Sequence, residues 1–293
     1  MAAVLGTNMA SVWASRNLQS AQTNMAGSVE RLSSGLRINR ARDDAAGLGV
    51  ANILTQQING SNQGIRNLND GISMVQTAEG AIAAASEMAQ RILTLATQGS
   101  NSNMSVDQLK AIGAEMKALW SSINSIETRT KFAGTSLLAN STAITIQASN
   151  VSGDTVSISA AGSGTTIGAL DNIYASDADS SSKAGLLWTA INGAQSSPAS
   201  SDMTAVLGAV DDYITALDTQ RSTLGALQNQ MEYAVNNITE LSANLTAARS
   251  RVIDTDYASE TASLTKGQIL QQAATAMLAQ ANQMPNVILS LLK

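Results

Sequence analysis

The sequence predicts a mainly α protein: a long antiparallel, coiled-coil-like helical rod with a small β-hairpin and loop insert and paired terminal helices. Three observations carry that expectation. Apolar residues recur at steps of 3, 4 or 7 over three long stretches, the period at which helices lie along one another. Aromatics make up only 3% of the 293 residues, and helical seams, unlike most compact cores, run on Leu, Ile, Val, Met and Ala. Between Asn140 and Asp202 the heptad stops, and Ser, Thr, Gly, Ala and Asp take over.

In chain order, Leu18, Met25, Val29, Leu32 and Leu36 step 7, 4, 3, 4 and form a lone amphipathic helix. The following "RARDDAAG" holds adjacent carboxylates, Asp43 and Asp44, beside Arg40 and Arg42. A catalytic or metal-binding pair is one reading. The preferred one is that Asp44 caps a helix beginning near Ala45, with arginine pairs alongside. The first rod seam is Ile58, Ile65, Leu68, Ile72, Val75, Ile82, Ala89 and Ile92. Its helix carries Gly60, Gly64, Gly71 and Gly80, each costing about 1 kcal/mol relative to Ala. Packing therefore has to hold it, and glycine lets neighbouring backbones come close. "QGSNSNMS" (Gln98–Ser105) reads as a turn, and the next seam is Leu109, Ile112, Met116, Leu119, Ile123 and Ile126.

Inside the insert, Ile144 and Ile146 alternate with polar residues, as do Val156 and Ile158, across "ASNVSGD". That pattern predicts a hairpin. Leu186, Leu187, Trp188 and Ile191 predict one short helix, and the whole insert is expected on the surface. The last rod helix carries Val206, Val210, Tyr213, Leu217, Leu224, Leu227, Met231, Ala234, Ile238, Leu241, Leu245, Ala248 and Val252. Asp254 and Asp256 follow at a break, a natural capping place. Ile269, Ala273, Met277, Ala281, Met284, Ile288 and Leu291 then step 4, 4, 4, 3, 4, 3, with a kink expected at Pro285. The expected division is 1–44 with 250–293 as terminal helices, 45–140 with 203–249 as the rod, and 141–202 as the insert.

Composition narrows the function. Charged residues are 13% of the chain, about half the usual share, so its surface can be buried against neighbours without stripping water from ions. A net charge of −5 argues against binding a phosphate backbone. The chain has no Cys and no His, which removes disulfides, thiolate and imidazole metal sites, and His acid–base chemistry. No catalytic site, metal or cofactor is expected, so the chain is not read as an enzyme. The start lacks a basic segment followed by an apolar run, so no secretory signal peptide is expected. No stretch of about 18 apolar residues predicts a membrane span.

The tail "QANQMPNVILSLLK" crowds Val287, Ile288, Leu289, Leu291 and Leu292 where most chains fray. Burying five such side chains is worth on the order of 8–15 kcal/mol. A two-helix hairpin covers one stripe of each helix, and Val287 and Leu292 fall beside the seam. Other chains are expected to supply the cover.

These stretches resemble bacterial flagellin. "ERLSSGLRINRARDDAAGLGVAN" (Glu30–Asn52), "NLNDGISMVQTAEGAI" (Asn67–Ile82), "FAGTSLL" (Phe132–Leu138) and the run from Ala243 to Leu292 are similar to the family's signatures. Ile253 departs from the acidic residue usual there, and "MPNVILSLL" lacks the Gln usual after Pro. The resemblance implies a secreted structural subunit that polymerises into the extracellular flagellar filament used for swimming. It also implies passage unfolded through the flagellar type III export channel, with export chaperone, cap and hook-junction proteins as partners. Terminal helices that pair only in the polymer would place the assembly contacts at Leu18, Met25, Val29, Leu32, Ile269, Met277, Met284, Val287, Ile288, Leu291 and Leu292. "AQRILTLATQ" (Ala89–Gln98) resembles a patch read by a vertebrate Toll-like receptor. Gln90, Arg91, Leu95 and Glu115 are kept there, whereas Thr94 replaces an acidic residue and Ala118 a Gln. The alternatives are a hook–filament junction protein, or a glycan-binding surface protein on the same scaffold, for which Trp188 and Tyr174 offer few stacking platforms.

Overall fold

The computed structural model describes residues 8–138, 144–158, 189–193 and 200–291, the last eight of these by backbone alone. In chain order the elements are α1 (Met9–Ser34), α2 (Ala45–Gly99), α3 (Val106–Arg129), β1 (Lys131–Phe132) and β2 (Thr135–Ser136). They continue with β3 (Ile144–Gln147), β4 (Thr155–Ile158), α4 (Ser200–Ile253) and α5 (Tyr257–Leu291). The chain divides into a terminal unit, 1–56 with 244–293, and a central unit, 57–243. The division falls within α2 and α4, which run uninterrupted through it.

In the central unit α2, α3 and α4 share one core. Leu68, Val75, Ile82, Ala89 and Ile92 meet Leu109, Ile112, Met116 and Ile123, and Val206 to Met231 of the third seam. Two positions differ from the heptad expectation. Leu119 is only half-buried, and Trp120 takes the core place beside it, edge-on to Tyr213 with ring centroids 5.5 Å apart. Further along α4, Leu241 is 46% exposed and Ser242 is buried instead. A helix of 3.6 residues per turn drifts against a 3.5-residue seam, and the Ser242 hydroxyl settles the new register by donating to Asn62 Oδ1 at 3.2 Å.

β3 and β4 pair antiparallel with Ile146 opposite Val156 and Ile144 opposite Ile158, as the alternation predicts. The surface placement expected for this hairpin is corrected: Ile146, Ala148 and Ile158 are buried in the central core. The glycines of α2 explain how. A Cβ at Gly64 would stand 1.6 Å from the Ala148 carbonyl oxygen, and one at Gly71 2.2 Å from Ile146 Cδ1. Only a bare backbone admits the hairpin there. Asn67 Nδ2 donates to the Gln147 carbonyl at 3.0 Å and fastens it. Residues 189–193 are helical and Ile191 joins the same core; Leu186, Leu187 and Trp188 lie outside the described residues.

In the terminal unit α1 and α5 lie antiparallel. Asn8 Nδ2 donates to the Ala281 carbonyl at 2.7 Å near one end, and Arg31 faces Glu260 at 3.6 Å near the other. Gly35 ends α1 with φ 72°, its N–H donating to the Arg31 carbonyl. The chain then bridges α4's end: Arg37 N–H donates to the Ile253 carbonyl at 2.6 Å, and Thr255 N–H to the Gly35 carbonyl at 3.0 Å. Ile253 is buried in a small cluster with Ile38 and Ala51.

One member of each carboxylate pair is a cap. Asp44 Oδ1 accepts the Gly47 N–H at 2.8 Å, and Asp256 Oδ1 the Ala258 N–H at 3.0 Å. Asp43 instead gathers the N–H groups of Arg40 and Asn39 on Oδ2. With Arg42 alongside, those bonds, led by Arg40's, hold its carboxyl below the ordinary carboxylate value. α5 runs past Pro285 to Leu291.

Candidate assembly surface

The α1–α5 pair is built on small residues. On α1, Ala14, Ala21 and Ser28 recur at step 7 and are buried, each followed four residues on by half-buried Leu18, Met25 and Leu32. On α5 the facing stripe is Leu264, Gly267, Gln271, Ala274, Leu278 and Ala281, of which Gly267 and Ala281 are buried and the others half-buried. Alanine and glycine let the two helices approach closely, and the contact is correspondingly narrow.

That stripe is not the predicted one. Ile269 is 60% and Met277 65% exposed, although the step pattern placed them on the pairing seam. The reason is geometric. Each step of four residues turns about 40° past a full turn, so the row Ile269, Ala273, Met277, Ala281 winds around the helix. Ala281 lies on the partner-facing side, and Ile269 stands about 120° away from it. On α1, Val29 is 50% exposed. Leu18, Met25 and Leu32 are half-buried along the stripe of α1 that faces α5. The side chains of Met284, Val287, Ile288 and Leu291, and the whole of Leu292, lie outside the described residues.

Four of the exposed apolar residues, Met9, Trp13, Leu270 and Met277, line a groove of about 770 Å³ between α1 and α5. Buried Ala14 and Ala21 line its depth, with Met9 and Trp13 on α1 and Leu270 and Met277 on α5 more exposed. Sequence reasoning missed Met9 and Trp13. The signal was there: small residues at 14, 21 and 28 mark the α1 stripe that pairs, which leaves the large residues at 9, 12 and 13 facing away from it.

The second expected surface lies in the central unit. Arg91 Nη2 donates to Glu115 Oε1 at 2.8 Å and its Nε at 3.2 Å, with both side chains half in water and Gln90 exposed beside them. Leu95 is corrected. At 2% exposure it belongs to the chain's own core and faces no partner. The Thr94 hydroxyl is spent on its own helix, donating to the Gln90 carbonyl. Among the described residues no group of three or more His, Cys, Asp or Glu could hold a metal ion, and no helix is long and apolar enough to cross a membrane.

Comparison with known proteins places the chain in a family. The bacterial flagellin N-terminal helical region matches residues 5–143, and the bacterial flagellin C-terminal helical region matches 207–292. A flagellin of Halalkalibacterium halodurans is 37% identical over 291 residues, covering 99% of this chain and all of its own length. A flagellin of Bacillus subtilis is 37% identical over 304 residues, with 95% of each chain covered. The structure of a provisionally assigned flagellar hook-associated protein from Vibrio parahaemolyticus superposes with a TM-score of 0.58, covering 72% of this chain and 100% of its own. Its 16% identity speaks to the fold alone.

Proposed function

The chain belongs to the bacterial flagellin family and is a structural subunit of the extracellular flagellar filament, and from that premise we propose which of its surfaces builds the polymer. The contact is made by the exposed apolar side chains of the α1–α5 pair: Met9 and Trp13 with Leu270 and Met277 along the groove, and Val29 and Ile269 outside it. The apolar tail from Met284 through Val287, Ile288 and Leu291 to Leu292 continues it. One observation carries this. A monomer that buries alanine and glycine while leaving Trp, Ile and Met in water has reserved its large apolar area for another surface. Low charge suits such burial, since few ions need desolvating.

The same reading takes the chain through the type III export channel unfolded, which two prolines and no disulfides allow. An export chaperone, cap and hook-junction proteins are its further partners. Gln90, Arg91 and Glu115 remain as the Toll-like receptor contact, with Leu95 removed from it. The role is structural, with no catalytic chemistry assigned.

Ile269→Glu tests the surface. An exposed substitution changes monomer stability by about 0.5 kcal/mol or less, whereas a carboxylate buried without a partner at a subunit contact costs several. The variant keeps the parent's melting temperature and fails to extend filament seeds. Extension at the parent's rate would remove this face from the interface.

A further inference from the structure

Methionine is plentiful here, with 11 in a chain that has no Cys and no His. The described methionines are not equally open to solvent. Met116, Met203 and Met231 are wholly buried in the central core, whereas Met9 is 57% and Met277 65% exposed. Those two stand on different helices, far apart in sequence, and both line the same apolar groove between α1 and α5.

We propose that Met9 and Met277 are an oxidation site that governs assembly, with a hydroperoxide as the oxidant. This rests on the reading of the groove as a subunit contact. In the reaction a thioether sulfur lone pair attacks the distal oxygen of the peroxide. The S–O bond forms as the O–O bond breaks, and the departing hydroxide takes up a proton and leaves as water. Sulfur loses two electrons and the peroxide gains them, so hydrogen peroxide plus methionine gives methionine sulfoxide plus water. The product is a strong hydrogen-bond acceptor where the thioether was apolar. Asn17, Ser20 and Asn24 are the polar side chains of a lining that is otherwise mostly Ala, Leu, Met and Trp, so closing a neighbour over the sulfoxide strips water from a strongly polar group in a largely apolar setting. In the free subunit both sulfurs face water, and once covered in a filament they are shielded. The site thus reports on unassembled subunits and opposes their addition, and sulfoxide reductases reverse it.

The test treats full-length monomer with graded hydrogen peroxide and reads each methionine by peptide mass spectrometry. Met9 and Met277 convert at least about tenfold faster than Met116, Met203 and Met231. The critical concentration for seeded assembly rises about tenfold or more as they convert. M9L/M277L, compared with its own untreated state, shows a before-to-after ratio near one. Equal conversion of exposed and buried methionines would overturn the proposal, as would a treated M9L/M277L chain that loses assembly as fully as the parent. Untreated M277E separates this from the reading beneath it. If M277E assembles normally, the groove is no contact and both fall. If M277E fails to assemble while the oxidised parent succeeds, only the oxidation site falls.

Discussion

Two glycines on α2 should respond to the same substitution with opposite signs. Replacing glycine by alanine inside a helix is worth up to about 1 kcal/mol, from lower backbone entropy in the unfolded chain. At Gly80 a Cβ would meet nothing within 4 Å, so Gly80→Ala keeps that gain and stabilises by about 0.5–1 kcal/mol. At Gly64 the Cβ would stand 1.6 Å from the Ala148 carbonyl oxygen and 2.5 Å from its carbon, where ordinary contact begins at 3.4 Å. The hairpin must withdraw by nearly 2 Å, the difference between those oxygen distances. Withdrawal stretches the 3.0 Å bond from Asn67 to Gln147 beyond use, costing about 1 kcal/mol. It also loosens the packing of Ile146 and Ala148, at about 1–3 kcal/mol. Less the helix gain, Gly64→Ala destabilises by about 1–3 kcal/mol. Urea unfolding followed by far-UV circular dichroism on the full chain reads both variants. If Gly64→Ala proves as stabilising as Gly80→Ala, the hairpin does not lie on that glycine stripe and the reasoning is wrong.

Ending the chain after Gln283 leaves the pairing stripe from Leu264 to Ala281 intact, so the monomer's melting curve stays in place while seeded assembly is lost. A truncated chain that polymerises at the parent's critical concentration would take the tail out of the interface. Arg91→Ala removes a planar multi-donor cation and the 2.8 Å pair with Glu115; because that exposed pair is worth at most about 1 kcal/mol, monomer stability holds while Toll-like receptor signalling falls. Full signalling by the variant would dismiss the contact. Asp43 has a lowered carboxyl pKa in the folded chain, so its contribution to stability is whole above the unfolded value of about 3.9 and is lost as pH falls through the folded value. An NMR titration places the Asp43 midpoint below that of ordinary exposed aspartates, and Asp43→Asn flattens the acid limb of the stability curve.

The sequence made the helices legible because period is a local property: a run such as Leu109, Ile112 and Met116 declares its face without reference to the rest of the chain. What it obscured was choice between adjacent candidates. Leu119 and Trp120 both lie near the α3 seam, and only the nearby Tyr213 ring, on another helix, favours Trp120. Leu241 gives way to Ser242 because drift along α4 accumulates until a hydroxyl with a partner outcompetes a leucine without one. The hairpin strands were legible from alternation and their burial was not. The glycines that receive them at 60, 64 and 71 are far off in sequence, and glycine spacing alone names no occupant. Leu95 was carried over by resemblance, and a motif match does not say which side of a helix has already been covered.

The terminal pair shows most clearly why a helix with two apolar stripes defeats a one-seam reading. α5 offers Leu264, Gly267, Gln271, Ala274, Leu278 and Ala281 on one side, and Ile269, Leu270 and Met277 on another. By area alone the second should be buried first, since each added methylene is worth about 0.8 kcal/mol. α1 decides otherwise: with Ala14, Ala21 and Ser28 along its contact, it accepts a close neighbour with small side chains. Small residues at the closest approach, flanked by half-buried Leu18, Met25, Leu264 and Leu278, keep the area buried between the two helices modest. Large side chains then remain on the outside of both helices, facing solvent until another surface arrives. If the proposed assembly surface holds, that division of residue sizes leaves the smaller contact inside the chain and the larger apolar one for a neighbouring subunit.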